Sequence, residues 1–260
     1  MNVLILAAGL GTRLKPLTNT MPKALVRVGG KPLLQHLLDK LNRQCNGEPL
    51  NIVVNVHHFG EQIIDYLKDT DIRISDERSQ LLDTGGALRQ ALPMFFSMQD
   101  AGCRMQDSVL VHNVDIFSNE NLHDFYHEAS ADEEAMVVML VSERQTSRYL
   151  LFDDTNRLVG WTNIQTGEVK SPYSDLNVEA CHRYAFSGIQ VVKSSLMPYL
   201  ERQEERKFSV IDFYLSICHE VCIRAAVRPS LQLLDVGKMD AIEAAETVSG
   251  KLVEGRTKKW

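Results

Sequence analysis

Short apolar runs without polar alternation mark the first half of the chain, at residues 3–7, 51–56, 72–75, 109–114 and 136–141. Runs of that length and character are strands covered on both faces. Between them the apolar positions change to helical spacing. Leu33, Leu34, Leu37, Leu38 and Leu41 follow Pro32, which suits a first helical position; Ile63, Ile64 and Leu67 form a second set; Leu88, Ala91 and Leu92 follow Gly85-Gly86. Strand and helix alternate as far as about residue 115, which predicts an α/β fold with a largely parallel sheet and helices on both faces. In such sheets ligands sit beyond the carboxyl ends of the strands.

The second half is less regular. Strands at 149–152 and 158–161 flank Asp153-Asp154-Thr155-Asn156, whose residues suit a hairpin turn. Further strands are predicted at 184–192, 223–227 and 231–236, with helices near 195–202, 210–221 and 239–248. The tail from Lys251, with Arg256, Lys258 and Lys259, reads as frayed and solvated. No linker, repeat or low-complexity tract divides the chain, so residues 1–260 are expected to form a single domain.

Composition narrows the classes. An apolar content of 44% supports a core, and a net charge of −6 argues against a general nucleic-acid binder. No apolar run reaches transmembrane length and the first strand opens at Asn2, leaving no room for a signal peptide. A cytoplasmic protein without membrane partners is expected. The five cysteines, at 45, 103, 181, 218 and 222, make no C-x-x-C pair and read as reduced thiols. Cys218, His219 and Cys222 suggest a metal cluster, but Ile211, Leu215, Cys218 and Cys222 trace an apolar stripe that favours packing. His57 and His58 are neighbours on a strand and point to opposite faces, against a joint ligand role.

The candidate chemistry begins at Leu6-Ala7-Ala8-Gly9-Leu10-Gly11-Thr12-Arg13-Leu14-Lys15-Pro16-Leu17-Thr18, followed by Met21-Pro22-Lys23-Ala24-Leu25. A strand here runs into a glycine loop with two cations, Arg13 and Lys23, as a polyphosphate requires. A Walker loop is excluded by the glycine spacing and the missing Gly-Lys-Ser/Thr. A dinucleotide fingerprint is excluded because its third glycine position holds Leu14, with Pro16 two residues on. Prolines at 16 and 22 predict a long irregular loop.

That run resembles the signature loop of the sugar-1-phosphate nucleotidyltransferases, or nucleotide-sugar pyrophosphorylases. The resemblance implies a three-layer α/β/α Rossmann-like (GT-A-like) fold with a mostly parallel mixed central sheet. It assigns residues 1–115 to a nucleotide-binding half, 116–237 to a sugar-phosphate-binding half and 238–260 to a C-terminal helix and tail. It also implies that Arg13 holds the departing pyrophosphate, that Lys23 contacts phosphate at the reacting centre, and that Leu6, Ala7, Ala8, Gly9, Gly11 and Thr12 line the nucleotide. More narrowly, residues 51–58 and Ser75-Asp76-Glu77-Arg78 with Leu81 to Gly86 resemble the small bacterial branch of N-acetylmuramate 1-phosphate uridylyltransferases. Mannose and manno-heptose 1-phosphate guanylyltransferases are its neighbours.

Further segments extend the likeness. Val109 to Asp115 reads as a buried strand ending in a carboxylate, which suits a divalent cation or, alternatively, a helix cap. In the family an Asn-Gly-Asp or Gly-Asp here binds Mg²⁺ through its aspartate, and Asp235 of Leu234-Asp235-Val236-Gly237 matches the second ligand. Val114 replaces the family glycine. If that glycine permits close approach or a special φ, Val114 changes the pocket wall. Thr84-Gly85-Gly86 matches a segment lining the base, with Thr84 also a possible cap; a bare backbone there would accept a flat base. Asn113 and Gly188 of Phe186-Ser187-Gly188-Ile189 match the sugar side, and Lys170, or else Arg183, is the candidate for the sugar phosphate.

The implied reaction is attack of a sugar 1-phosphate on the α-phosphorus of a nucleoside triphosphate, UTP or GTP being favoured, with Mg²⁺ as cofactor. The alternatives are a glycosyltransferase of similar fold using a finished nucleotide sugar, and a noncatalytic nucleotide-sugar sensor. The oligomeric state is left open.

Overall fold

Side chains alternate between two cores along the buried first strand, β1 (Asn2–Leu6): Val3 and Ile5 enter one hydrophobic cluster and Leu4 enters another. A strand that feeds apolar side chains to both sides needs a cover on each face, and the chain supplies two helical layers. The computed structural model describes residues 1–45, 47–96, 107–242 and 245. After β1 come three 3-10 turns (Thr12–Leu14, Leu17–Asn19 and Lys23–Leu25), β2 (Arg27–Val28), β3 (Lys31–Pro32) and α1 (Leu33–Cys45). Next are β4 (Asn51–Val56), α2 (Gly60–Leu67), β5 (Arg73–Asp76), α3 (Asp83–Ala91) and α4 (Pro93–Phe96). The chain continues through β6 (Ser108–Asn113), β7 (Ile116–Ser118), α5 (Leu122–Ser130), β8 (Val137–Ser142), β9 (Arg148–Phe152), β10 (Leu158–Asn163) and β11 (Glu168–Lys170). It ends with β12 (His182–Lys193), α6 (Met197–Glu201), α7 (Val210–Ile217), β13 (Ile223–Val227) and β14 (Leu233–Asp235).

Strands β5, β4, β1 and β6 lie side by side in parallel, so the loops after β1 and β6 emerge together. The twelve-residue β12 runs antiparallel to β6 and β8, and β13 adds to β8 in parallel. The first residues of β12 also pair with β9, from which β10 and β11 continue as an antiparallel branch. Helices α1, α2 and α5 pack on the face holding Val3 and Ile5; α3, α6 and α7 cover the face holding Leu4. The predicted turn at 153–156 joins β9 to β10, with Asn156 in the left-handed region at φ 60.

A few boundaries differ from the sequence reading. Pro32 pairs with Arg27 in a short ribbon, and the helix begins one residue later. Residues 239–242 and 245 are helical; the rest of the predicted 239–248 helix, the tail and Cys103 lie outside the described residues. Cys218 and Cys222 are buried in the core as free thiols, as the apolar stripe implies. Among the described residues, no helix is long and apolar enough to cross a membrane.

A third, small cluster explains how an irregular loop is held. Leu14, Val26, Val28 and Leu33 pack with Val236 and Ala245, so the loop carrying Arg13 and Lys23 has a core of its own. Because Leu14 is fully buried there, Leu14→Ala is expected to cost about 2 to 5 kcal/mol of stability. Urea denaturation checks this, and an unchanged midpoint would mean that the loop stands without its core.

Candidate active site

The glycine loop is shaped from within. Gly11 adopts φ +62, and a Cβ there would lie 2.7 Å from Thr18 Cγ2. The Thr18 hydroxyl donates to the Gly11 carbonyl at 2.8 Å and closes the bend. At Gly9 nothing stands within 4 Å of where a Cβ would be, so that stretch of backbone is open to a ligand. Thr12 begins the first 3-10 turn. The N–H groups of Ala7 and Ala8, residues expected to line the nucleotide, donate to the Asn55 side-chain oxygen at 2.6 and 3.3 Å. Leu6 ends β1, its carbonyl accepting from Val114 N–H at 3.1 Å.

Four charged side chains meet beyond the strand ends. Lys23 forms an ion pair with Asp115, both largely buried. Arg13 lies 3.7 Å from Asp235, both about half exposed. The two carboxylates are brought together by backbone, because Asp235 pairs with Ile116 across β14 and β7 and Val236 N–H donates to the Asp115 carbonyl at 2.9 Å. Burial and then the neighbouring Asp115 charge raise the Asp235 carboxyl, while Lys23 and Arg13 pull the other way. Gly237 lies against the same pair: a Cβ there would sit 2.6 Å from Asp235 Oδ1 and 2.7 Å from Arg13 Nη2, so a larger residue would displace these two side-chain ends. Two carboxylates crowded at desolvated strand ends form an all-oxygen donor set, which fits a hard divalent cation. Asp115 caps no helix: α5 starts seven residues on, and its cap is Asn121.

The space over Gly85 and Gly86 is filled by the chain itself. A Cβ on Gly85 would collide with the Phe208 ring, and one on Gly86 with the Arg206 carbonyl. Gly85 N–H donates to the Phe208 carbonyl at 2.9 Å. The Thr84 hydroxyl meets a different helix: it accepts from Val210 N–H at 3.0 Å at the start of α7, whose own cap is Ser209. Before it, Asp83 is held at φ 59 in the left-handed region, with its carboxylate accepting from Thr84 N–H at 2.6 Å. A non-glycine residue rarely takes that conformation.

Among the residues expected on the sugar side, Gly188 at φ +80 abuts Asn113, and a Cβ would lie 2.8 Å from its amide nitrogen. Val114 does not wall this space. Its side chain is buried in the core, and it is absent from the positive-φ residues, so valine meets neither constraint expected of the glycine. Lys170 lines a cleft of about 530 Å³ with Arg144, Arg148, Trp161 and Phe186. Its ammonium lies 5.4 Å from the Trp161 ring centroid and donates to Asp212 at 3.0 Å. Arg183, outside that lining, pairs with Glu179 at 2.6 Å.

Sequence reasoning missed the residues that tie together the two segments expected on the nucleotide side. Besides holding the Ala7 and Ala8 amides, Asn55 donates to Glu77 Oε1 at 2.8 Å, and Glu77 Oε2 accepts from Leu82 N–H at 3.3 Å. A buried chain of hydrogen bonds thus runs from the glycine loop to the turn at Asp83. Glu77 sits between the exposed Asp76 and Arg78, yet it is 1% exposed. The one available signal was Asn55 inside an otherwise apolar strand.

The family described as MobA-like NTP transferase domain matches residues 3–246. The N-acetylmuramate alpha-1-phosphate uridylyltransferase of Caulobacter vibrioides is 45% identical over 98 residues, 35% of this chain and 39% of that protein. The match therefore spans well under half of that relative. HddC of Yersinia pseudotuberculosis, solved with GMP-PN, superposes with a TM-score of 0.68 at 22% identity, covering 95% of this chain and 99% of that one. The CTP:phosphocholine cytidylyltransferase LicC of Streptococcus pneumoniae gives 0.67 at 19%, covering 95% and 98%. These two likenesses establish a shared fold, the Rossmann-like one expected.

Burial raises the Glu77 carboxyl above its ordinary 4.5. The native state then holds this proton more tightly than the unfolded chain, so the contribution is full below 4.5 and is lost as pH rises through the folded value. The wild-type stability minus that of Glu77→Gln is expected to fall across this interval in urea titrations. A difference that is flat or grows with pH would contradict it.

Proposed function

Because the chain belongs to the MobA-like NTP transferase domain family, we propose that it transfers a nucleotidyl group from a nucleoside triphosphate to a sugar 1-phosphate, releasing pyrophosphate and forming a nucleotide sugar. The observation that carries this reading is the meeting of Arg13 and Lys23 with Asp235 and Asp115 beside an open glycine loop. A glycosyltransferase acting on a finished nucleotide sugar needs no such two-cation grip, since no pyrophosphate departs. Residues 1–115 supply the nucleotide side and 116–237 most of the acceptor side, with Asp235 reaching back across. A reaction that consumes nucleoside triphosphates suits a cytoplasmic setting.

No side chain has to remove a proton. A phosphate monoester has its second pKa near 6, so the nucleophile is mostly dianionic at neutral pH (about 6). The difficulty is to bring two polyanions together in line. Lys23, largely buried and anchored on Asp115, is a fixed positive charge at the reacting end of the loop. Arg13, half exposed, is free to leave Asp235 and hold the departing pyrophosphate. The family generally uses a divalent metal; held by Asp115 and Asp235, Mg²⁺ in our reading supplies charge compensation on the phosphate oxygens. Gly9, Gly11 and Thr12 offer backbone to the triphosphate, and the turn at Asp83 and Thr84 stands beside the base. Asn113, Gly188 and Lys170 face the sugar phosphate, Lys170 after release from Asp212. UTP is favoured by the uridylyltransferase relative, with GTP next.

The full chain assayed with four nucleoside triphosphates against several sugar 1-phosphates, and phosphocholine as a contrasting acceptor, should release pyrophosphate only with both substrates and a divalent cation present. Release from no pair would leave a binding protein of this fold, and release with phosphocholine alone would move the acceptor to another class. With the productive pair, Arg13→Ala and Asp115→Asn should each lower kcat/KM by about 10² to 10³. Arg13→Ala should leave the urea midpoint nearly unchanged, because its ion pair is exposed. Near-normal turnover in either variant would remove that residue from the mechanism.

A further inference from the structure

Helix α5 turns Phe125 and Tyr126 into the core and leaves His123 and His127, one helical turn apart, toward solvent. Glu48, from the connection between α1 and β4, reaches the same point. His123 Nε2 is 3.0 Å and His127 Nε2 3.1 Å from Glu48 Oε2, and the two Nε2 atoms are 3.2 Å apart. Hydrogen bonding cannot satisfy this triangle. With the carboxylate ionised, two donating histidines set donor against donor on the edge between them, and a histidine that presents its Nε2 lone pair instead sets acceptor against acceptor toward Glu48. A cation at the centre satisfies all three edges at once. Ligands about 2.0 to 2.1 Å from a tetrahedral zinc lie about 3.3 Å from one another, close to the spacing observed.

The surroundings hold the three groups in place. Asp124 Oδ1 lies 3.4 Å from His123 Nδ1, a carboxylate that orients the ring and leaves the Nε2 lone pair toward the cluster. Asn121 caps α5 and also donates to Asp124 at 2.6 Å. Gln44 at the end of α1 accepts from Leu122 N–H at 3.0 Å and donates to the Glu120 carbonyl at 3.3 Å, tying α1 to the start of α5. The Met1 amine rests on the other Glu48 oxygen at 2.9 Å.

We propose that Glu48, His123 and His127 form a site for a divalent transition-metal ion of the zinc type, completed by water. Met1 places it at the amino end of β1, whereas the glycine loop follows the carboxyl end. The site is thus separate from Asp115 and Asp235, and its nitrogen-containing donor set selects a softer ion than an all-oxygen pair does. A bound ion would clip the loop before β4 to α5.

The test is titration of the metal-stripped full chain with Zn²⁺ in excess Mg²⁺, followed by calorimetry, with Co²⁺ visible absorption as a second readout. Wild type should bind one high-affinity equivalent with a tetrahedral Co²⁺ spectrum. His123→Ala and His127→Ala should each lose it while keeping the wild-type circular dichroism, and Asp124→Asn should weaken it by about 10- to 100-fold. No Zn²⁺ bound by wild type, or equal affinity in either histidine variant, would overturn the proposal.

Discussion

The head of the sheet depends on one electrostatic constraint: two cations and two carboxylates share the space beyond β1, β6 and β14, and neither sign is tolerable there alone. The pairs divide the work by exposure. Lys23 and Asp115, largely out of water, join residues far apart in sequence and hold each other in place, since removing one leaves the other buried and unpaired. Arg13 and Asp235 meet in a wetter setting, where an ion pair is worth at most about 1 kcal/mol, and so are easily parted. The buried pair fixes the geometry; the exposed pair can yield to a ligand.

Much of the fold is legible in the sequence wherever a strand is buried on both faces. Strands β1, β4, β5, β6 and β8 and helices α1, α2 and α3 follow the apolar runs closely, β4 to the residue. The branch beyond β8 is harder to read, because β12 serves different neighbours along its length and changes register between Phe186 and Gln190. β7 escapes the pattern because it is three residues long and pairs with β14 outside the main sheet, while the strand predicted at 231–236 is trimmed to β14. Helix α5 was readable but unread: Leu122, Phe125, Tyr126 and Ala129 have helical spacing, behind the Asn121 cap.

At the site, sequence motifs identified the charged residues but not the partners of the backbone. Arg13, Lys23, Asp115 and Asp235 meet because the loop after β1 packs against Val236, beside the ends of β6 and β14. The amides of Ala7 and Ala8 and the glycines at 85 and 86 turned out to serve the protein, through Asn55 and the 206–208 segment. A motif gives residue type and spacing; whether a bare backbone faces a ligand or another stretch of chain depends on contacts across tens of residues. Val114 teaches the same lesson in reverse, since its side chain turns into the core.

The branching of the sheet at β12 has a consequence for how such a protein can change over generations. Only His182, Arg183 and Tyr184 connect β12 to β9, and Lys170 and Trp161 ride on the outlying ribbon beyond. Substitutions there alter an edge, while the parallel strands that carry the charged quartet stay packed between their two helical layers. The architecture separates a part that must be kept from a part that can be varied, so under the proposed function a new acceptor can be tried without rebuilding the charged quartet.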